Sequence, residues 1–128
     1  MIKGLESVII GSAKAKKLAN FYKEKIGLKC TMEMENPDTG EAGYAFEFKE
    51  GAGLYIMDHS EVKGANKNPQ QVFFNLEVDD IEKEAKRLKT AHVKNIAKIY
   101  HMEGYGLIAT WQDPEGNYFQ TVQVRASK

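Results

Sequence analysis

The sequence has a single cysteine, Cys30, so it forms no internal disulfide and nothing in it calls for an oxidising compartment. It has no excess of charge of either sign, because 18 Lys and Arg are balanced by 18 Asp and Glu. A balanced chain offers no electrostatic footprint for nucleic acid or for an anionic membrane surface. Long apolar runs are missing as well. The opening segment, MIKGLESVII, has too short an apolar run for a signal peptide or a membrane-crossing helix, and the expectation is a cytoplasmic protein. What remains is an ordinary globular composition, 42% hydrophobic and 28% charged, over 128 residues. That length suits one domain with a core of its own.

Hydrophobic periodicity divides the chain. Leu5 to Ile10 reads as a strand, and Gly11-Ser12 as a break that offers an N-cap. Ala15, Leu18, Ala19, Tyr22 and Ile26 then recur on one face of a helix that Gly27 ends. Strands are expected at Leu28 to Met34, Ala42 to Lys49 and Leu54 to Asp58. The polar stretch from His59 to Gln70 reads as a linker. Beyond it Val72, Phe74, Leu76 and Val78 alternate with Phe73, Asn75 and Glu77, the pattern of a half-buried strand. Asp79-Asp80 caps a second helix carrying Ile81, Ala85 and Leu88 on one side. Strands at His92 to Met102, Tyr105 to Gln112 and Asn117 to Val124 complete the chain, with Asp113 to Asn117 as the last tight turn.

The order is βαβββ, linker, βαβββ, with one module over about residues 1–58 and the other over about 71–128. Spacing repeats with order. Glu50-Gly51 and Glu115-Gly116 lie 65 positions apart, and so do Phe46 and Trp111, and Tyr55 and Gln120. This is the pattern of an internal duplication.

Three stretches carry a family likeness. Phe21-Tyr22 through Gly27-Leu28, Val78-Asp79-Asp80, and Asp113-Pro114-Glu115-Gly116-Asn117 occur in the order, and at the element boundaries, of the vicinal-oxygen-chelate superfamily. The sequence resembles that group, which includes glyoxalase I, extradiol dioxygenases and bleomycin-resistance proteins. The resemblance implies an α+β fold in which two βαβββ modules form facing half-barrels around a cleft. It also implies a homodimer and, in metal-dependent members, one metal ligand from the first strand and one from the last strand of each module.

Carried across residue by residue, those four ligand positions fall on Ser7, Tyr55, Phe73 and Gln120. A hard divalent metal wants carboxylate, imidazole or amide ligands converging at about 2.0–2.2 Å, whereas this set supplies at best a weak neutral oxygen and a phenol, and Phe73 supplies nothing. No metal and no other cofactor is expected. His59, His92 and His101 match no compact metal motif, and Asp58 and His59 would point to opposite faces of a strand. Cys30 sits in an expected strand without a nearby histidine, which suits a small buried hydrophobe better than a nucleophile. No catalytic residue is assigned.

Strand alternation supplies the cleft. With Val8, Ile10, Leu54, Ile56, Val72, Phe74, Leu76 and Val78 turned to the helices, the opposite face carries Ser7, Ile9, Tyr55, Met57, Phe73 and Asn75, with Gln120 beside them. Trp111 is a further candidate, though its strand is apolar on both faces and parity does not assign it. Glu77, if it reaches the cleft mouth, would favour a cationic group, as the likeness to bleomycin-binding proteins implies. An apolar wall with a few convergent polar points suits a small, flat or aromatic organic ligand. The leading expectation is thus a binding protein that does no chemistry. Two others stand beside it: a glyoxalase-like lyase or dioxygenase with a displaced metal, and a structural dimer whose cleft is filled by its own side chains.

Overall fold

The computed structural model describes residues 1–125. The elements in chain order are β1 (Ser7–Ser12), α1 (Ala15–Phe21), β2 (Met32–Glu35), β3 (Ala42–Phe46), β4 (Gly53–Asp58), β5 (Phe74–Glu77), α2 (Ile81–Thr90), β6 (Lys94–Met102), β7 (Gly106–Gln112) and β8 (Tyr118–Val124). They fall into two compact units, Met1–Gly64 and the chain from Ala65 onward, each of βαβββ order. Each unit holds one four-stranded mixed sheet, ordered β1-β4-β3-β2 in the first and β5-β8-β7-β6 in the second. The first and last strands of a unit run parallel. The helix carries the chain to the far edge, and hairpins return it strand by strand, which is why the other pairs are antiparallel.

In the first unit α1 lies over β1, β3 and β4. Its apolar stripe is buried as the periodicity requires, with Ala15, Leu18, Ala19, Tyr22 and Ile26 all in the core. The helix is regular only to Phe21, and Tyr22–Ile26 forms a π-helical turn that ends at Gly27, in the left-handed region at φ 89°. The wider turn accommodates two consecutive buried aromatics, Phe21 and Tyr22, whose rings meet edge to face at 5.1 Å. At the other end the Ser12 hydroxyl accepts from the Lys14 amide (2.9 Å), and an Asp58 carboxylate oxygen from β4 accepts from the Ala15 amide (2.8 Å). The second Asp58 oxygen accepts from the Ala42 amide (2.9 Å), tying β3 to the same residue.

The second unit repeats this plan. α2 lies over β6, β7 and β8 and buries Ile81, Ala85 and Leu88. Asp80 is the expected N-cap, its carboxylate accepting from the Lys83 amide at 3.1 Å. From β8 the Gln123 side-chain oxygen accepts from the Ile81 amide (2.9 Å), as Asp58 does for Ala15. The Asp113 carboxylate is buried in the last turn and accepts from the amides of Glu115 and Asn117.

Several boundaries differ from expectation. β2 begins at Met32 rather than Leu28, because Leu28 still closes the π turn through its amide to the Tyr22 carbonyl (2.9 Å). Cys30 therefore precedes the strand and is only half-buried, its thiol facing the Met32 carbonyl. β3 ends at Phe46 instead of Lys49. β5 starts at Phe74, where the ladder with Phe119 starts, so Val72 stands outside the sheet and is 74% exposed rather than packed under the helix. The expected linker is tethered in part, since the Asn66 amide donates to the Glu115 carbonyl (2.8 Å) and its side chain to Asn117 (3.0 Å). The outermost strand, β6, breaks register with β7 twice, between Asn95 and Ala97 and between Ala97 and Tyr100. The Asn95 side-chain amide fills the first break by donating to the carbonyls of Ala97 and Thr110, both at 3.0 Å.

Candidate functional site

Sheet register decides which side chains share a face. In the first unit Ile9, Tyr55, Ala45 and Met32 form one row across β1, β4, β3 and β2. Gly11, Met57, Gly43 and Met34 form the next. These rows lie opposite Leu54, Ile56 and Phe46, which are buried on the helix side. The open face is therefore rich in thioethers: Met32 is 51% exposed, Met34 55% and Met57 37%. Gly43 forms its floor, and the ends of Met34 and Met57 both come within van der Waals range of the place where a side chain at Gly43 would begin. Tyr44, Glu47 and Tyr55 complete the lining of an open cavity of about 90 Å³ there.

Tyr55 sits at the edge of this cavity. Its hydroxyl donates to a Glu6 carboxylate oxygen at 3.1 Å. Its ring lies over Gly53, so closely that a methyl group added at Gly53 would come within 3.1 Å of it. Gly53 is the ladder partner of Ser7, so the ring lies against the partner of one expected site residue while belonging to another. The hydrogen bond to Glu6 holds the phenol above its ordinary value of 10.0, helped by desolvation and by the charges of Glu6 and Glu47. Tyr44 is raised too, chiefly by burial, then by Glu33, Asp58 and Glu35.

In the second unit Asn75, Gln120 and Thr110 lie in one row across β5, β8 and β7. Here the polar groups bond to one another. The Gln120 amide donates to the Thr110 hydroxyl (2.9 Å), and the Asn75 amide donates to the Tyr105 hydroxyl (3.1 Å). Gln120 is only 9% exposed. Phe73 stands one residue ahead of β5 and is 44% exposed.

Ser7, Tyr55 and Met57 thus share one face of the first sheet, and Asn75 and Gln120 share one face of the second. Trp111 does not join them. Its ladder partner is Phe119, on the opposite side of the sheet from Gln120, and its indole N–H donates to the buried Thr121 hydroxyl at 3.0 Å. A side chain with no exposed surface cannot contact a ligand, and Trp111 belongs to the core. Sequence reasoning passed over Met32, Met34, Gly43, Glu6 and Glu47. The alternation Met32-Glu33-Met34-Glu35 in an expected strand was the signal that could have found the two methionines.

The four positions that hold metal ligands in the resemblance do not fit a metal. The Tyr55 hydroxyl is a protonated phenol that donates to Glu6, Phe73 has no donor atom, Gln120 offers one neutral amide oxygen while its nitrogen donates to Thr110, and Ser7 is a neutral hydroxyl. Among the described residues no group of three or more His, Cys, Asp and Glu side chains could hold a metal ion. No helix among them is long and apolar enough to cross a membrane.

The paired βαβββ units, each with its first and last strands side by side, define the vicinal-oxygen-chelate class of fold. Residues 4–121 match the Glyoxalase/Bleomycin resistance protein/Dioxygenase superfamily, and the chain belongs to it. Its solved structural neighbours include a glyoxylase/bleomycin resistance protein/dioxygenase domain from a Frankia species. The TM-score there is 0.77 at 13% identity, covering 98% of this chain and 100% of the neighbour. A glyoxalase family protein from Enterococcus faecalis gives 0.73 at 18% identity, covering 94% and 98%. The trypanothione-dependent glyoxalase I of Leishmania major gives 0.76 at 14% identity, covering 95% and 87%. Identities this low carry the fold and nothing finer. No curated protein sequence matches the chain.

Proposed function

We propose that this chain is a metal-independent binding protein that takes up a small, partly aromatic organic molecule on the open sheet faces and does not turn it over. The observation that carries this reading is the first unit's face, where three exposed methionines and Tyr55 surround a cavity at the place where metal-dependent members of the superfamily carry ligand chemistry. Thioethers are flexible and polarisable, so a methionine wall adapts to flat ligands and makes favourable sulfur–aromatic contacts. The cavity, about 90 Å³ and open to solvent, is smaller than the roughly 150 Å³ that encloses one benzene, so this face alone covers part of a ring or one small group and not a whole drug-sized molecule. Asn75 and Gln120 are the polar contacts proposed in the second unit, and Phe73 the aromatic one. The two units would work as one domain, in a cytoplasmic homodimer of about twice 14.4 kDa, since symmetric dimers are the commonest oligomers.

The test is a thermal-shift screen of flat organic compounds, because a ligand that binds only the folded state raises its stability by mass action. Any hit is then titrated into wild type, Phe73→Ala and Phe74→Ala. Phe73→Ala should weaken binding and leave stability nearly unchanged. Phe74, whose ring stacks on Phe119 at 6.3 Å, should instead cost stability, by about 3 kcal/mol. A screen without hits, or turnover of a hit, refutes the reading. Sedimentation at high micromolar concentration tests the dimer, and a monomer there ends that part of the proposal.

A further inference from the structure

Two carboxylates stand at the thioether face of the first unit, and the reading above does not use them. Glu47 is the charged residue in the cavity lining. Glu6 lies at the cavity's edge through its hydrogen bond with the Tyr55 hydroxyl. Both are exposed carboxylates, and each keeps an oxygen free. Glu47 accepts from Thr31 through one oxygen (3.1 Å), and Glu6 accepts from Tyr55 through one.

We infer that this face selects organic cations with a small apolar body, the Met32, Met34 and Met57 thioethers taking the apolar part and Glu6 and Glu47 facing the charge. The inference rests on the binding reading above and names its ligand class. Charge complementarity supports it: both carboxylates act on the Tyr55 hydroxyl, and neither the cavity lining nor the groups acting on that hydroxyl include a cation. Tyr55 adds a ring whose face attracts an ammonium group. An anionic ligand meets the opposite situation, with no donor side chain carrying positive charge in the lining. Both carboxylates border water, so the preference is strongest at low ionic strength and weakens with added salt.

Three probes that share a benzyl or phenyl ring and differ in charge separate the outcomes: benzylammonium, benzyl alcohol and benzoate. Each is titrated at low salt into the full chain carrying labelled methionine methyl groups, and the signals of Met32, Met34 and Met57 are followed by NMR. Benzylammonium should bind about tenfold more tightly than benzyl alcohol, with benzoate the weakest. In the Glu6→Gln/Glu47→Gln variant the cation should fall to within about twofold of the alcohol, whose own affinity stays the same. Both changes are isosteric and exposed, and a second measurement guards the result: about 0.5 M salt should collapse the preference in wild type. If all three probes bind alike, or the variant keeps its preference, the charge selection is wrong while the binding face stands. If none of them moves the three methyl signals, the binding face falls, and this inference with it.

Discussion

The two units use the same scaffold on the helix side and different chemistry on the other. Positions 65 or 66 apart match closely behind the sheets. Ala15 and Ile81, Ala19 and Ala85, Tyr22 and Leu88, and Phe46 and Trp111 are all buried. Asp58 and Gln123 each reach from the last strand to the first amide of the unit's helix. On the open faces the correspondence stops. The first unit presents unbonded thioethers to its cavity, whereas the second bonds its polar side chains to one another through Gln120, Thr110, Asn75 and Tyr105. Packing constrains volume and hydrogen bonding behind the sheet, so a duplicated plan persists there. On the faces away from the helices the two units differ, since Met32, Met34 and Met57 are exposed in the first whereas Thr110, Gln120, Ile108 and Val122 are buried in the second.

The comparison breaks most visibly in the core. Phe46→Ala and Trp111→Ala should each destabilise the protein by about 3–5 kcal/mol in urea unfolding. Trp111→Ala should be the more damaging, since it also strips the buried Thr121 hydroxyl of its partner. Equal losses would mean that the indole hydrogen bond contributes nothing. The straps come next. Asp58→Ala removes a charged acceptor of two backbone amides and should cost about 2–3 kcal/mol, against about 1 kcal/mol for Gln123→Ala, which removes one neutral bond. Chemical denaturation of the two variants side by side would reveal a reversed order if the strap is weaker than its geometry.

Smaller effects concern the open faces. Tyr55 and Tyr44 have raised folded-state values, so the folded protein holds these protons more tightly than the unfolded chain does. The associated stability is present in full below the ordinary tyrosine value of 10.0 and is lost as pH rises through the raised ones. Tyrosine titration by NMR should show both ionising above the ordinary value, and Glu6→Gln should bring Tyr55 down while leaving Tyr44 in place. The smallest expected effect is none: zinc, nickel or manganese should leave the melting temperature unchanged. One tightly bound metal per chain, released by His59→Ala or His101→Ala, would contradict that.

Much of the fold was legible because it rests on periodic patterns. The stripe from Ala15 to Ile26, the Asp80 cap and the turn from Asp113 to Asn117 each contain their own signal within a few residues. What escaped depends on partners distant in sequence. The start of β5 is set by where β8 begins to pair, so Val72 looked like the first residue of a strand it never enters. Asp58 read as the end of a strand, and its bond to Ala15, 43 positions away, is invisible without the register. Trp111 sits in a strand that is apolar on both sides, so alternation was silent about its face. The site was legible in part: Tyr55 and Met57 follow from alternation in β4. Met32 and Met34 join that face only through the pairing of β2 with β3, which the alternation within β4 does not reveal.

The two register breaks in β6 have a consequence for how the protein behaves in a crowded solution. A nine-residue strand at the border of a sheet is long enough to seed pairing with any extended chain it meets. Each bulge twists the backbone and throws the outward amides and carbonyls out of step, while Asn95 turns inward to occupy two carbonyls and Lys94 and Lys98 place charge along the strand. A straight partner can match this edge over only a few residues at a time. The irregularity makes the longest of the described strands a poor template for such pairing.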